Sequence, residues 1–280
     1  MPLSVLFLTY NEEANIEAGL RSVQGWANEI LVVDSGSTDG TLDIVRRYTS
    51  KVYHHPFESW GQQVNWALAN LPFQNEWVFR LDADEFVTPE LRDELLTIFT
   101  QVSPHVTALY VKRRVFFMGR WIRHGGFYPA WLLRLFKRGK VLFEQHLGEA
   151  EHALILDGIP EYLRHDIVDW NRKDLRFWTL KHENYAQREV QSLLNEIEAE
   201  RIEAQGHLFG SPELRKRWLK TNIYSRVPPF SRAFLYFFYR YFLRLGFLDG
   251  TEGFIFHVLQ GFWYRFYVDA KIWEATHRRT

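Results

Sequence analysis

The stretch WVFRLDADE, residues 77–85, passes from an apolar segment directly into three acids. The apolar part predicts a buried strand that ends at Asp82. Because strand side chains alternate, Asp82 and Asp84 share a face if the strand continues, and their charges need a cation or a hydrogen-bond network. Mg²⁺ and Mn²⁺ prefer carboxylate oxygens and complete their shells with water and substrate phosphates. The alternative is that these acids merely solvate a strand end before a helix at Pro89.

Strand and helix alternate through the first hundred residues. Because the connections are short, this order predicts a Rossmann-like α/β fold, with a mostly parallel sheet and helices on both faces. Ligands bind outside the carboxyl ends of such strands, where Asn11, Asp34, Ser35 and Asp82 fall. Taken singly, Asn11 also suits a helix cap and Asp34 a turn. Strands are predicted at residues 4–9, 30–34, 52–54 and 77–82, and helices near 16–23, 42–48 and 62–71.

Composition narrows the class of protein. The chain has 280 residues, 46% of them hydrophobic, which is enough to bury a full core. Lysine plus arginine equals aspartate plus glutamate at 34 each, which argues against a nucleic-acid binder. The absence of cysteine excludes disulfides and thiolate metal sites. The opening MPLSVLFLTYNEE lacks a basic segment and reads as a strand, not a signal peptide, so we expect a protein of the cytoplasm or its membrane face.

Three motifs together resemble the family 2 glycosyltransferases, which have the A-type (GT-A) nucleotide-sugar fold. They are LTYNEE at 8–13, VVDSGSTDGT at 32–41 and LDADE at 81–85. The resemblance implies a nucleoside diphosphate sugar donor, most simply a UDP-sugar, and a Mn²⁺ or Mg²⁺ ion held by the D-x-D acids.

The resemblance also assigns roles to single residues. Thr9, Asn11 and Glu12 are expected to line the nucleotide pocket. Asp34 is expected to contact base or ribose, with Ser35 beside it. Asn65 belongs to the same donor-binding set, although Val64 replaces the basic residue that precedes this position in many relatives. The expected donor-binding and metal-binding residues are thus Thr9, Asn11, Glu12, Asp34, Ser35, Asn65, Asp82 and Asp84.

A second acid site is expected because inverting sugar transfer needs a carboxylate to accept the proton of the attacking hydroxyl. GEAEHALILDG, residues 148–158, offers Glu149 and Glu151. In the lipopolysaccharide-core and exopolysaccharide branch of the family, a Glu-His pair precedes a short apolar stretch and Asp-Gly, and residues 151–158 are similar. The resemblance implies Glu151 as the base, with Glu149 in reserve. Without it, two solvated surface acids are the simpler interpretation.

Further candidates lie downstream. His165 is predicted to complete the metal shell as a neutral imidazole, or else to cap or pack. Lys181 shares a predicted helix face with His182 and Tyr185, and is expected to reach the donor phosphates or the acceptor. The loop 118–129, with glycines and aromatic side chains, suits closure over a sugar, although local packing explains it as well.

The carboxyl-terminal third is locally basic. Residues 215–244 contain no acid, and residues 230–242 are dense in aromatics. This pattern predicts a helical region, 206–280 after a catalytic domain of 1–205, that lies on an anionic membrane surface without crossing it. A helical subdomain or dimer surface is the alternative, and RNA binding is a weaker one. The basic residues are Arg215, Lys216, Arg217, Lys220, Arg226, Arg232, Arg240 and Arg244.

Together these features predict a metal-dependent inverting glycosyltransferase, peripheral on the cytoplasmic face of the inner membrane. Its acceptor would be a lipopolysaccharide-core, exopolysaccharide or lipid-linked glycan. Two rivals are a sugar nucleotidyltransferase and a catalytically silent scaffold that binds membrane or glycan. The first normally begins with a glycine-rich basic phosphate loop, which LTYNEE does not resemble.

Overall fold

The structure, a computed structural model, describes residues 2–144, 153–198 and 227–277. The described residues form two compact units. The first comprises residues up to 174 apart from 124–126, and the second comprises 124–126 and the residues from 175 onward. The domain boundary expected at 205/206 therefore lies outside the described residues, while the helix that begins at Leu175 is part of the second unit.

The first unit is an α/β layer structure. Its strands are β1 (Leu3–Thr9), β2 (Glu29–Asp34), β3 (Val52–His54), β4 (Trp77–Asp82), β5 (Glu85–Val87), β6 (Val106–Phe117), β7 (Arg120–Trp121), β8 (Ala130–Lys137), β9 (Val141–Phe143), β10 (Ala153–Ile155) and β11 (Ile159–Trp170). Its helices are α1 (Ile16–Val23), α2 (Thr41–Val45), α3 (Trp60–Asn70) and α4 (Pro89–Ile98).

The main sheet has the order β3-β2-β1-β4-β8-β6-β11-β5, with β7 paired to β6. The first four of these strands are parallel, as the alternation of strands and helices predicted. Beyond β4 the sheet is mixed, because β8 runs antiparallel to both β4 and β6. No helical crossover joins β6 to β8, and a short return places the second strand antiparallel to the first. The expected α/β fold is confirmed, with a mixed second half.

Both faces of the parallel half are buried. In β1, Phe7 packs in a cluster with Leu20 of α1, while its neighbour Leu6 packs in another with Val64 of α3. Each such side chain contributes about 1.5–3 kcal/mol when it leaves water. The predicted start of α4 is confirmed, since Thr88 Oγ1 accepts from the Leu91 amide at 3.2 Å. These contacts fix the strand ends on which the site is built.

The second unit is helical and rich in aromatic side chains. Helix α5 packs on α8 through Ala186, Val190, Tyr264 and Val268. Across the described ranges, no helix is long and apolar enough to cross a membrane. The helices are α5 (Leu175–Glu198), α6 (Ser231–Phe238), α7 (Gly250–Phe256) and α8 (Tyr264–His277), with π-helical turns at Tyr239–Leu243 and His257–Trp263 and a 3-10 turn at Gly246–Asp249.

One residue of the loop 118–129 serves the packing of this second unit. His124 donates its backbone amide to Asp249 Oδ2 at 2.8 Å, and its Nδ1 lies 2.6 Å from Asp249 Oδ1. Asp249 is buried, so this contact satisfies a carboxylate away from water. For His124, local packing is therefore the better explanation than contact with a sugar.

Candidate active site

The first two motifs bind one another at the carboxyl ends of β1 and β2. The Asn11 amide donates to Ser37 Oγ at 2.8 Å, and Asn11 Oδ1 accepts from the Thr38 amide at 2.7 Å. The Glu12 amide donates to Thr41 Oγ1 at 2.7 Å. Asn11 has a φ of 53° and lies before α1, which begins at Ile16. The alternative of Asn11 as the cap of α1 is therefore wrong, since its side chain holds the second motif instead.

Asp34 shapes the small-residue turn that follows β2. Its Oδ2 accepts from the amides of Gly36 and Ser37 at 2.8 and 2.9 Å, and its Oδ1 accepts from Ser37 Oγ at 2.5 Å. Gly36 has a φ of +96°, a conformation that glycine adopts without strain. The carboxylate at the end of β2 thus holds a turn of backbone amides beside β1.

Thr9 and Ser35 lie side by side across β1 and β2. The Ser35 amide donates to the Thr9 carbonyl at 3.0 Å, and Ser35 Oγ accepts from Gln63 Nε2 at 3.0 Å. Thr9 Oγ1 is buried and has no hydrogen-bond partner among the described residues. These two positions are brought together with Asn11, Glu12 and Asp34, as their place at adjacent strand ends predicted.

Buried arginines surround the acid at the end of β4. Asp82 Oδ1 accepts from Arg80 Nη2 at 2.5 Å, and Asp82 Oδ2 accepts from Arg134 Nη2 at 3.0 Å. The same Arg134 nitrogen donates to Glu85 Oε1 at 2.6 Å. Both arginines are fully buried or nearly so, whereas the Asp82 side chain is 19% exposed. The hydrogen-bond network that was one of two ways to reconcile these charges is thus present.

Glu85 is the most deeply buried acid of the group. Burial raises the pKa of its carboxyl to about 7, against the lowering effect of Arg134, and the charge of Asp82 raises it further. A proton on Glu85 near neutral pH reduces the negative charge beside Asp82 without removing a hydrogen-bonding group.

Asp84 contacts the segment that follows β11. Asn171 Nδ2 donates to Asp84 Oδ2 at 3.1 Å, and the Trp170 amide donates to the Asp84 carbonyl at 2.9 Å. Two residues later, Lys173 Nζ donates to Glu12 Oε1 at 2.8 Å. We call residues 171–173 the clasp, because they join the third motif to the first.

Glu12 and Asp84 lie close enough to influence each other's charge. Burial is the largest cause that raises the pKa of Glu12, and the negative charge of Asp84 is the next, while Lys173 opposes both. Asn15 also fixes Glu12, since its Nδ2 donates to Glu12 Oε2 at 2.6 Å. The three motifs therefore form one rim, which carries a concentration of carboxylates.

The chemistry of this rim fits a hard divalent cation. Asp82 and Asp84 are partly exposed carboxylates, and negative charge at Asp84 already raises the pKa of a neighbouring acid. Among the described residues, no three His, Asp or Glu side chains form a complete metal shell. An ion held by Asp82 and Asp84 would thus take its other ligands from water and a bound phosphate, as Mg²⁺ usually does.

The sequence profile of Glycosyl transferase family 2 matches residues 4–154, more than half of the chain. The chain belongs to this family. The matched region contains all three motifs of the rim, so the fold and the family agree on where the family's shared residues lie.

Individual relatives support the same assignment. The chain is 29% identical over 198 residues to the lipopolysaccharide core biosynthesis glycosyltransferase LpsC of Rhizobium meliloti, which covers 65% of this chain and 70% of LpsC. It is 39% identical over 98 residues to an uncharacterized glycosyltransferase of Rickettsia bellii, which covers 35% of this chain. The match spans about a third (32%) of the Rickettsia protein's length.

Solved structures with similar coordinates include two transferases. S. aureus TarS 1–349 in complex with UDP-GlcNAc has a TM-score of 0.46 and 17% identity, over 100% of this chain and 93% of TarS. Glucosyl-3-phosphoglycerate synthase of Mycobacterium tuberculosis, in complex with Mg²⁺ and UDP, has a TM-score of 0.41 and 19% identity, over 66% of this chain and 78% of the synthase.

Not every residue proposed from the sequence lies at the rim. Asn65 Nδ2 donates to the Phe143 carbonyl at 2.7 Å, and Asn65 Oδ1 accepts from the Phe143 amide at 3.1 Å. A Cβ on Gly61 would approach the Glu144 carbonyl oxygen to 2.1 Å, so α3 and the end of β9 are in close contact. Both polar groups of the Asn65 side chain are thus used to hold β9, which is a structural role.

His165 is not brought together with Asp82 and Asp84. Its Nδ1 lies 3.0 Å from Glu94 Oε2 of α4, and its amide donates to the same carboxylate. His165 precedes Asp169, the partner of Glu85 in the sheet, by four residues. At about 3.3 Å per strand residue, that separation is roughly 10 Å or more. The packing alternative suits His165 better, and we leave it out of the metal shell.

The remaining predicted residues cannot be related to the rim in this structure. Lys181 lies in α5 of the second unit, where its Nζ is 5.9 Å from the ring centre of Tyr185. Glu149 and Glu151 lie outside the described residues, so the proposed base stays a prediction.

Sequence reasoning missed four contributors to the rim: Arg80, Arg134, Asn171 and Lys173. The two arginines had a signal, since each interrupts an apolar strand and a buried guanidinium needs a carboxylate. The clasp residues had none, because only the pairing of β11 with β5 brings them to the first motif.

The clasp gives a prediction about stability. Lys173→Met should lower the free energy of unfolding by about 1–3 kcal/mol, because Glu12 keeps a mostly buried carboxylate without its cation. The change should be measured by urea unfolding. Lys140→Met is the matched control, since its partner Asp157 is exposed and the loss should be slight. Equal effects of the two variants would contradict a structural role for the clasp.

Proposed function

We propose that this family 2 member is a metal-dependent, inverting glycosyltransferase. Its donor is a nucleoside diphosphate sugar, most simply a UDP-sugar, and its acceptor is a lipopolysaccharide-core, exopolysaccharide or lipid-linked glycan. The rim carries this proposal, because three motifs distant in sequence meet at the carboxyl ends of β1, β2 and β4. The likeness to LpsC supports a lipopolysaccharide-type acceptor.

The chain's own groups divide the donor between them. Asp34 and Asn11 hold the turn of backbone amides beside which the nucleoside would bind. Asp82 and Asp84 would hold Mn²⁺ or Mg²⁺ against the diphosphate. Arg80 and Arg134 keep Asp82 in place and ionised. A bound divalent ion supplies positive charge that stabilises the diphosphate as a leaving group.

Sugar transfer then needs one base. The acceptor oxygen forms a bond to the anomeric carbon from the face opposite the diphosphate, and the bond from that carbon to the diphosphate oxygen breaks. The nucleoside diphosphate leaves with the electron pair, and the hydroxyl proton passes to a carboxylate. Glu151 is the proposed acceptor of that proton, with Glu149 as the second candidate.

A donor screen tests this proposal. The full chain would be incubated with several nucleotide sugars and a deacylated lipopolysaccharide core, with Mn²⁺ or with a chelator, and released nucleoside diphosphate would be measured. Release that needs both donor and metal supports the proposal. Pyrophosphate release from sugar phosphate and nucleoside triphosphate would instead favour a nucleotidyltransferase, and no metal-dependent binding of nucleoside diphosphate would favour a silent scaffold.

An anionic membrane surface is the proposed partner of the second unit, on the cytoplasmic face of the inner membrane. Large apolar side chains of α6 and the turns after it are exposed, among them Phe234 at 59%, Phe238 at 52% and Leu243 at 65%. No acid lies between residues 227 and 248. Exposed aromatics in an acid-free helical segment suit the headgroup region of an anionic leaflet.

Vesicle flotation tests this partner. Wild-type protein should float with phosphatidylglycerol vesicles and much less with phosphatidylcholine, and Phe234→Ser/Phe238→Ser should weaken flotation about tenfold. Leu96→Ser is the control, since Leu96 is 42% exposed on α4 of the first unit. Equal flotation of the two variants would contradict the assignment of this surface.

A further inference from the structure

A long acid-free stretch of the sequence is not explained by donor binding. No Asp or Glu lies between Glu94 and Glu144, whereas Lys and Arg recur through the segment. The stretch covers β6, β7, β8 and the loop 118–129 in the mixed half of the sheet. A surface of one charge sign that is built on strands indicates a partner of the opposite sign.

Alternate residues of β6 bring cations and aromatics to one face of the sheet. Tyr110 is paired in register with Tyr162 of β11, and Lys112 with Trp131 of β8. The rings of Tyr110 and Tyr162 stack at 4.9 Å, and Trp131 meets Tyr162 edge-on at 5.0 Å. We call the set Tyr110, Lys112, Arg114, Trp121, Trp131 and Tyr162 the aromatic–cation face.

The cations of this face lie over its rings. Lys112 Nζ is 5.6 Å from the centre of the Trp131 ring, and Arg114 Cζ is 5.0 Å from the Trp121 ring. Arg123, which is exposed, is 5.4 Å from the same Trp121 ring. Rings and cations are therefore offered together, so a ligand that stacks on a ring also meets positive charge.

One buried carboxylate fixes this arrangement. Asp166 is 3% exposed, and its Oδ2 accepts from Arg114 Nε at 2.8 Å and Nη2 at 2.6 Å. Tyr128 donates its hydroxyl to Asp166 Oδ1 at 3.0 Å, and Lys112 Nζ is 3.6 Å from that oxygen. A single acid holding two cations leaves net positive charge, to which the exposed Arg120 and Arg123 add.

The face is continuous with the donor rim. From Asp166, β11 runs through Asp169, which pairs with Glu85, and then into the clasp, where Asn171 bonds to Asp84. Five residues of strand span about 16 Å. A chain of sugars lying on the aromatic–cation face would therefore have one end near the proposed metal ligands.

We infer that the aromatic–cation face binds the acceptor and that the acceptor is an anionic glycan, whose phosphate or carboxylate groups meet Lys112, Arg120 and Arg123. This rests on the proposed function and adds the chemical class of the acceptor. Aromatic faces suit the apolar faces of sugar rings, and ionised donors form strong hydrogen bonds to phosphate and carboxylate. Nucleic acid fits less well, because the chain has no net positive charge.

Calorimetry without donor tests the inference. Three forms of a deacylated lipopolysaccharide core oligosaccharide would be titrated into the full chain: intact, dephosphorylated, and dephosphorylated with reduced carboxyl groups. Affinity should fall by about tenfold or more from the first form to the third and should weaken with salt. The intermediate form distinguishes phosphate from carboxylate as the source of recognition.

Variants assign the effect to this face. Arg120→Ala/Arg123→Ala and, separately, Trp131→Ala should each weaken binding of the intact oligosaccharide about tenfold. The controls are Arg46→Ala/Arg47→Ala, whose side chains are 61% and 58% exposed elsewhere on the first unit, and Trp273→Ala, whose ring is 53% exposed in the second unit. The controls should bind as wild type.

Three outcomes would overturn the inference: equal affinity for the charged and neutral forms, unchanged affinity of both test variants, or tighter binding of an oligo-uridine RNA. Titration of UDP with Mn²⁺ into the same samples separates the two proposals. Normal UDP binding with any of these outcomes refutes only the anionic acceptor, whereas loss of metal-dependent UDP binding by the wild type refutes the proposed function.

Discussion

Asp84→Ala should reduce sugar transfer by at least about 10²–10³-fold while the protein stays folded. The substitution removes one of two proposed metal ligands and so the charge that stabilises the departing diphosphate. Its structural cost should be small, because Asp84 is partly exposed and its carboxylate raises the pKa of Glu12, so its loss relieves a repulsion. Nucleoside diphosphate release under saturating donor and Mn²⁺ is the measurement.

Asp93→Ala is the matched control for this substitution. Asp93 lies on α4 with its side chain 64% exposed, so it changes the net charge equally without touching the rim. Transfer by this variant should equal that of the wild type. Near-normal transfer by Asp84→Ala, in protein that unfolds at the wild-type urea concentration, would remove the ion from the mechanism.

Glu151→Gln should lower kcat by about 10²–10⁴-fold and leave donor affinity unchanged. An amide keeps the size of the side chain but does not accept the proton of the attacking hydroxyl. The predicted signature is a split between kcat and the dissociation constant for UDP with Mn²⁺, measured on the same preparation. The acid limb of the wild-type pH profile, which reports ionisation of the base, should also disappear in the residual activity.

Glu149→Gln is the companion variant, two residues away in the same segment. If Glu151 is the base, Glu149→Gln should transfer at close to the wild-type rate. The reverse result, a full rate with Glu151→Gln and a large loss with Glu149→Gln, would assign the proton to Glu149. Full rates for both would place the base elsewhere.

The rim was predictable where residues follow strands. LTYNEE, VVDSGSTDGT and LDADE each end an apolar run, and the carboxyl ends of parallel strands meet at one edge of a sheet. Asn11, Glu12, Asp34 and Asp84 accordingly lie on adjoining strand ends or within one hydrogen bond of the clasp. Periodicity also predicted β3 and the Thr88 cap of α4.

Contacts that depend on distant pairing were not predictable. Arg134 reaches Asp82 and Glu85 because β8 inserts between β4 and β6, an order that no local pattern in WLLRLFK specifies. His165 had the chemistry of a ligand, but the register of β11 gives it Glu94 as a partner. Asn65 carried a family resemblance, yet the return of β9 to α3 uses both of its polar groups.

A crystal grown with UDP and Mn²⁺ tests the central claim most directly, through anomalous scattering at the manganese edge. We expect one strong peak beside the carboxylates of Asp82 and Asp84, in contact with the diphosphate, with the uridine near Asp34 and Asn11. Bound UDP with no peak at these two aspartates, or with the ion held elsewhere, would contradict the account.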